Sequence, residues 1–432
     1  MKKTRWMRGL STTFAFLSAL LICGELIATS SSDYKSMIDG MFGVNYTTGS
    51  GNLESYMFNS EFESTKQLYT RRAEIATQIS EEGCVLLRND NNVLPLNNEN
   101  GLNVTVLGSR AFTYDKDGNI RDASGDKSLA FYAGIVGSRT YKQTVTLENE
   151  VLDLPITLEM ALKEQNININ PSCKEVYSKK NFPNYVKGSE ANGSQGGPYS
   201  VNEPWVEKSD FKDVDKYNDA CIVVIGRTSG EGREYFPGQA GIEDKNDGSK
   251  SALNLSDNER NLINQASQIS DKVIVLINSA VAMEIDELKE SIANDDIGSK
   301  VDSVLWIGLP GLYGLRGVSR VLTGVSSPSG SLPDTYAVDA SMSPAAQNFG
   351  VTSLDGQSFT WSNAGYYNRA DNGHYVVLAE DLYTGYYYYE TRYYDAVMGN
   401  GNASSNKGIG YGAKTNQWKY EDEVSYTFGY GL

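Results

Sequence analysis

The residues with the clearest capacity for chemistry lie in one short run, Gly226-Arg227-Thr228-Ser229-Gly230-Glu231-Gly232-Arg233. The run follows a continuous apolar stretch, residues 220–225, of the kind found in strands buried on both faces. Open parallel sheets place their ligands outside the carboxyl ends of such strands. A carboxylate between two glycines there can be reached from solvent, and the glycines let the chain turn sharply. Glu231 is therefore a candidate proton donor or acceptor. Arg227 and Arg233 are near enough in sequence to hold or tune it, or to bind a substrate beside it. A solvated loop glutamate is the alternative reading of the same residues.

Other chemistries find less material. The single histidine, His374, gives a serine triad little to work with, and no G-x-S-x-G elbow occurs. Gly308, Gly311, Gly314 and Gly317 are spaced by three throughout rather than as G-x-G-x-x-G. No acidic residue stands at the end of a next strand, so these glycines read as aids to tight strand–helix packing rather than a dinucleotide site. Of the four cysteines, Cys23 lies in an N-terminal apolar run, and Cys84 and Cys221 sit in apolar segments as small core residues. With Cys173 they leave an odd count without paired spacing, which argues against a disulfide framework or a zinc site. With 38 basic against 54 acidic residues the net charge is −16. A chain this acidic repels phosphate backbones, so nucleic acid is excluded as a partner. With 40% hydrophobic and 21% charged residues, the composition is that of a soluble globular protein.

The elements that must position the Glu231 run alternate between two periodicities. Leu68, Ile75, Ala76 and Ile79 share one face of a helix that Gly83 ends. Apolar strands are predicted over residues 84–87, 103–107, 220–225, 273–277 and 301–307. Helices are predicted over 155–164, after the capping box Ser256-Asp257-Asn258-Glu259, along Val281, Ile285, Leu288 and Ile292, and over 315–322. This alternation predicts an α/β fold: a mostly parallel, doubly wound sheet of five or six strands with helices on both faces. Residues 220–225, 273–277 and 301–307 are expected at its centre. Residues 113–151 and 172–207 read as long insertions, and the tail from 341 is rich in Gly and Tyr. A complete (β/α)₈ barrel typically needs ~250 residues and has no room beside this sheet.

At the N-terminus, Lys2, Lys3, Arg5 and Arg8 precede an apolar stretch over residues 9–28. That order predicts a signal anchor or a signal peptide, with the anchor favoured, the N-terminus inside and the body outside. The expected organisation is an export segment at 1–30, a polar stalk at 31–67 and the sandwich at 68–432. The expected location is the cell membrane with the body extracellular, or secretion.

Several segments, taken in order, carry a resemblance. They are Glu82-Gly83-Cys84-Val85-Leu86-Leu87-Arg88-Asn89 with Val93-Leu94-Pro95-Leu96, the Gly226–Gly232 run, Leu255-Ser256-Asp257, Val275-Leu276-Ile277-Asn278, Pro328-Ser329-Gly330-Ser331-Leu332-Pro333, Tyr383 to Glu390, and Phe428-Gly429-Tyr430-Gly431-Leu432. From about Arg71 to Leu432 the chain resembles the α/β sandwich (C-terminal-type) domain of family-3 glycoside hydrolases, which include β-glucosidases and β-xylosidases. The resemblance implies that Glu231 is the acid/base of a retaining β-glycosidase acting on an oligo- or β-glycoside, with no metal or organic cofactor. It also implies that the nucleophilic aspartate lies on a (β/α)₈ barrel that this chain lacks. The order of parts, with the export segment leading straight into the sandwich, resembles the branch in which the barrel follows. Ser32-Asp33-Tyr34 superficially resembles the nucleophile tripeptide but has no strand before it. A truncated or split glycosidase, inactive or nearly so alone, is the expectation. The alternative is a non-catalytic surface domain that binds carbohydrate or a partner protein.

Overall fold

The computed structural model describes residues 12–19, 61–112, 144–147, 150–153, 156–179, 203–227, 253–291, 296–347, 350–354, 357–361, 380–405 and 418–431. The chain divides into two units, Met1–Glu63 and Ser64–Leu432. In the first, residues 12–19 are helical. Among the described residues no helix is long and apolar enough to cross a membrane. The expected anchor therefore gains no support from the fold, and most of the stretch 9–28 lies outside the described residues.

The second unit is built on a six-stranded sheet. Its strands are β1 (Val85–Asn89), β2 (Leu102–Leu107), β5 (Ile167–Ile169), β6 (Ala220–Arg227), β7 (Val273–Ser279) and β8 (Ser303–Trp306), in the order β1-β8-β7-β6-β2-β5. Between β2 and β5 the chain forms a separate antiparallel hairpin, β3 (Thr144–Leu147) with β4 (Glu150–Asp153). The pairs β8–β7, β7–β6, β6–β2 and β2–β5 are parallel, and only β1 runs antiparallel, against β8. The mostly parallel doubly wound sheet is as the alternation of elements predicts. β6 and β7 occupy the centre, whereas β8 stands second from the edge because β1 closes that side.

Every residue of β6 and of β7 is buried. That explains why both read as unbroken apolar runs rather than alternating ones. Ile274, Val275, Leu276 and Ile277 are fully excluded from solvent, each contributing about 1.5–3 kcal/mol by burial.

Helices α1 (Thr65–Gly83), α2 (Leu158–Glu164) and α5 (Leu315–Leu322) pack side by side, while α3 (Pro171–Lys179) and α4 (Asp257–Ile269) pack against β2 and β6. Helix α3 is part of the core, since Cys173, Val176 and Tyr177 are buried. The segment 172–207 is thus not wholly an insertion. Residues 113–143 of the other expected insertion lie outside the described residues.

Two expectations for helices fail for identifiable reasons. On α1 the inward face is the small one, Ala73, Ala76 and Thr77, while Leu68, Ile75 and Ile79 are exposed. The cause is close approach to α5. A Cβ on Gly317 would lie 2.5 Å from the Thr77 carbonyl oxygen, and one on Gly314 would lie 2.9 Å from Ser80 Cβ. These glycines serve helix–helix contact rather than strand–helix contact. Along Val281, Ile285 and Leu288 there is no α-helix, only a single 3₁₀ turn at Asp286–Leu288, and Ile292 lies outside the described residues. Glu284 is drawn into a parallel bridge with Asn254, Ser279 Oγ donates to the Val281 carbonyl at 2.7 Å, and Arg88 Nη1 donates to the carbonyls of Leu288 and Gly298. Tertiary partners for the backbone outweigh the local periodicity.

The C-terminal part adds β9 (Tyr336–Ala337), the hairpin β10 (Gly350–Leu354) with β11 (Gln357–Trp361), α6 (Tyr386–Met398), α7 (Tyr420–Glu423) and β12 (Val424–Tyr426), which pairs with β9. Arg392 organises it: Nη1 reaches Glu423 Oε1 at 3.2 Å, and the guanidinium lies 4.5 Å over the Trp418 ring. Of the tyrosine cluster, Tyr389 is buried, and Tyr383 and Tyr387 are exposed.

The α1–α5 contact gives a direct test. Gly317→Ala forces two backbones apart and is expected to cost about 1–3 kcal/mol, read as a lower urea midpoint. Gly83→Ala, where a Cβ meets nothing within 4 Å, should leave the midpoint unchanged or slightly raised. Equal midpoints for the two variants would show that the helices separate without cost.

Candidate active site at the carboxyl edge of the sheet

Strand β6 ends on Gly226 and Arg227, and residues 228–252 that follow lie outside the described residues. Glu231 and Arg233 are among them, so their side chains are not placed. Arg227 is placed. It is 1% exposed, and its guanidinium makes a two-point contact with Glu259, Nη1 to Oε1 at 2.7 Å and Nη2 to Oε2 at 3.0 Å. Nη1 also donates to the Gly226 carbonyl at 2.9 Å, and Nη2 to the carbonyl of Asn254.

Glu259 is fixed from the other side. It is the third residue of α4, where Ser256 Oγ accepts from the Glu259 N–H at 3.1 Å and Glu259 Oε2 accepts from the Ser256 N–H at 2.8 Å. The sequence makes this capping box legible. It does not show that the same carboxylate also takes the guanidinium arriving from β6.

The network continues through Asn254. Its side-chain amide donates to Glu284 Oε2, and Glu284 Oε1 accepts from the Ala340 N–H at 2.9 Å. Burial pushes the Glu284 carboxyl up to about 7, with Asp339 adding to the rise while the Ala340 N–H and Arg227 oppose it.

A second buried group lies at the end of β2. Gly108 has φ 104°, and a Cβ there would sit 2.3 Å from the Val224 carbonyl oxygen of β6. Only glycine fits this turn. It brings the Ser109 N–H and hydroxyl onto Glu203, with the hydroxyl donating to Oε2 at 2.6 Å and the N–H at 2.9 Å. Glu203 is pushed up to about 8, chiefly by burial, against the lowering effects of Ser109 and Arg110. Arg110 is also buried. Its side chain packs against Gly226, where an added Cβ would come within 3.2 Å of Arg110 Cδ.

Nothing in the sequence pattern marks Glu203, which lies in the segment expected to be an insertion. Cys84 and Cys221 are core residues as predicted, and Cys173 joins them. All three are buried, and burial pushes the Cys84 and Cys173 thiols up to about 12. They are unreactive near neutral pH.

A groove of about 710 Å³ on the outer side of the helix layer shares no residue with this network. Two ion pairs cross it, Arg316 with Glu164 and Arg320 with Glu81. It is a salt-bridged seam between α1, α2 and α5.

The buried carboxyls make stability depend on pH in a stated direction. A carboxyl held at about 8 in the fold, against an ordinary value of 4.5, contributes stability that is complete below about 4.5. That contribution is lost as pH rises through about 8. Wild type should therefore lose stability relative to Glu203→Gln as pH is raised from about 5 to 8, by at most about 1.4 kcal/mol per pH unit. Urea midpoints of the two proteins over that range measure it. Parallel curves would mean that Glu203 titrates as it does in the unfolded chain.

The sequence profile of the glycosyl hydrolase family 3 C-terminal domain matches residues 84–432. Beta-glucosidase A of Butyrivibrio fibrisolvens is 24% identical over 374 residues, covering 84% of this chain and 35% of that protein. A beta-glucosidase of Ruminococcus albus is 25% identical over 324 residues, covering 75% of this chain and 27% of that protein. Among solved structures, beta-glucosidase 3B from Thermotoga neapolitana in complex with glucose is 24% identical with a TM-score of 0.46, covering 84% of this chain and 38% of that one. The chain thus spans about a third of the length of these relatives. The profile match over most of its residues places the chain in glycosyl hydrolase family 3, as a bearer of that family's C-terminal domain.

Proposed function

We propose that this chain supplies the acid/base half of a retaining β-glycosidase. Glu231 protonates the leaving glycosidic oxygen and then activates water, and an aspartate on a (β/α)₈ barrel outside these 432 residues attacks the anomeric carbon. The observation that carries the reading is the fully buried parallel strand β6, which ends on a fixed Arg227 four residues before the glycine-flanked Glu231. Family membership supports it, as do two relatives named as beta-glucosidases.

Retaining chemistry needs a second carboxyl about 5–5.5 Å from the first. Among the described residues, the buried carboxyls at this edge are already engaged: Glu259 with Arg227, Glu284 with Asn254 and the Ala340 N–H, Glu203 with Ser109. None of the three is left to act as the nucleophile. A barrel closing over the edge would desolvate Glu231 and raise its pKa, keeping it protonated near neutrality.

A second reading has its own support. Exposed Tyr383, Tyr387 and Tyr394, with Tyr386 stacked on Phe428 at 3.9 Å between ring centres, suit a surface domain that binds carbohydrate or a partner protein without catalysis.

The two readings separate in one line of work. Sequencing the DNA just downstream should reveal a frame encoding a barrel with a strand-end Ser-Asp motif. That barrel, mixed with this chain, should cleave aryl glycosides. Glu231→Gln should then lower turnover of poor leaving groups by ~10²–10⁴-fold and of good ones far less, with azide restoring the good ones. Equal activity of Glu231→Gln on both substrate classes would assign the role elsewhere, and an unrelated downstream gene would favour the binding domain. The basic N-terminal flank further supports a body outside the membrane. In a bacterial host, protease added to whole cells should degrade it, whereas a protected body in the soluble cytosol would count against export.

A further inference from the structure

We propose that the outward face of α6 is a self-association surface, on which two copies of this chain pair their α6 helices antiparallel about a twofold axis. The proposal does not rest on the acid/base reading of Glu231.

The rotation of α6 about its own axis is fixed from within the chain. Tyr389 is buried, Arg392 reaches Glu423 and lies over the Trp418 ring, and the Tyr420 hydroxyl donates to Glu390 Oε1 at 2.5 Å. The helix ends on Gly399 with φ 71°, where the Asn400 N–H returns to the Asp395 carbonyl at 2.8 Å. What this leaves outward is largely apolar. Tyr387, Thr391, Tyr394 and Met398 follow one another by four, three and four residues, the spacing of a helix–helix contact row. Val397 lies beside Tyr394 on the helix surface, and Leu382 and Tyr383 stand just ahead of the first turn.

Area decides between an ordinary surface and an interface. Leu382, Tyr383, Tyr387, Tyr394, Val397 and Met398 are each between 52% and 77% exposed. At ~150–250 Å² for a large side chain they present on the order of 700 Å² of mostly apolar surface. That exceeds the largest apolar patch of an ordinary monomer, roughly 300–600 Å². It approaches the roughly 800 Å² that each partner buries in a stable interface. The surface is also ordered in advance. Tyr387 stacks on Tyr386 at 4.3 Å between ring centres, and Tyr386 on Phe428 at 3.9 Å, so fixing these rings costs little on association.

The partner that fits is a second copy. A net charge of −16 sets two copies repelling one another, but the row on α6 carries no charge. The acids beside it are engaged within the chain, Glu390 by Tyr420 and Asp395 by the Asn400 side chain at 3.0 Å. In an antiparallel pair Tyr387 meets Met398 of the second copy, a ring–sulfur contact. Thr391 meets Tyr394 of the second copy, so the row is complementary to itself, as a twofold interface requires.

The test is sedimentation of the full chain at micromolar concentrations. Wild type should sediment as a reversible dimer that tightens with added salt, because the row is apolar and the remaining surfaces repel. Tyr394→Glu and Thr391→Lys should each lower the association constant about tenfold or more, with circular dichroism unchanged. Mixed together, the two variants should recover it, because the introduced carboxylate of one chain then faces the introduced ammonium of the other. The N-terminal segment is common to all three proteins, so the differences between them report on α6 alone. A wild-type chain that stays monomeric overturns the proposal and leaves the face to a glycan or an unlike protein. Association that neither substitution weakens places the contact elsewhere and overturns it too, and a mixture that stays monomeric overturns the antiparallel register. If Tyr394→Glu does not fold, Met398→Glu in the last turn of α6 carries the same measurement.

Discussion

Parallel pairing of β6 with β7, buried on both faces over their whole length, is the constraint from which the rest of the fold follows. Strands of this kind cannot carry an ionisable group along their length without burying it in the densest part of the core. Polar chemistry is displaced to the strand ends, where loops and helix termini can supply partners. The carboxyl edge bears that displaced load. Arg227 on β6, Asn278 on β7, the Ser109–Arg110 turn after β2 and the first turn of α4 converge within a few residues of the last ladder hydrogen bonds. Asn278 Nδ2 donates to the Gly308 carbonyl at 2.7 Å.

Two ways of tolerating buried charge coexist in that layer. Arg227 and Glu259 neutralise one another, with their remaining hydrogen-bonding capacity met by backbone. Glu203 and Glu284 accept from N–H, hydroxyl and amide donors, and Arg110 and Arg227 oppose the rise, but burial prevails and both carboxyls are pushed up, to about 8 and about 7. The first arrangement is a closed two-point contact. The second ties part of the edge to proton binding.

What the sequence revealed depended on whether a signal was local. The unbroken apolar runs of β6 and β7, the capping box at Ser256–Glu259 and the periodic helix at Leu315–Leu322 are stated within a few residues, and the structure places each where the pattern predicts. The α1 face was misread because its contact is made by small residues against glycines of α5. Hydrophobic periodicity weights large side chains, and Leu68 and Ile79 drew it to the wrong side. The stretch around Ile285 was misread because its backbone is claimed by Asn254 and Arg88, both distant in sequence. At the candidate site, the pattern marks Arg227 as the residue that ends the buried strand. Its partner 32 positions away goes unmarked, and so does Glu203, 94 positions from the serine that holds it.

A carboxylate that must meet a second one across a boundary between two bodies faces a demand that a single-body site does not. Its position has to be set before the other body arrives, since proton transfer requires contact within about 3 Å and a misplacement of 1 Å can cost about 10²-fold. Rigid strands and helices hold such tolerances better than loops. A residue carried on a loop can approach them only if the loop's ends are themselves part of the rigid frame. In this fold Arg227, the last residue of a fully buried strand, reaches the Asn254 carbonyl and the capped first turn of α4. The described frame at this edge is such a junction, a strand end and a helix cap joined through one ion pair, Arg227 with Glu259.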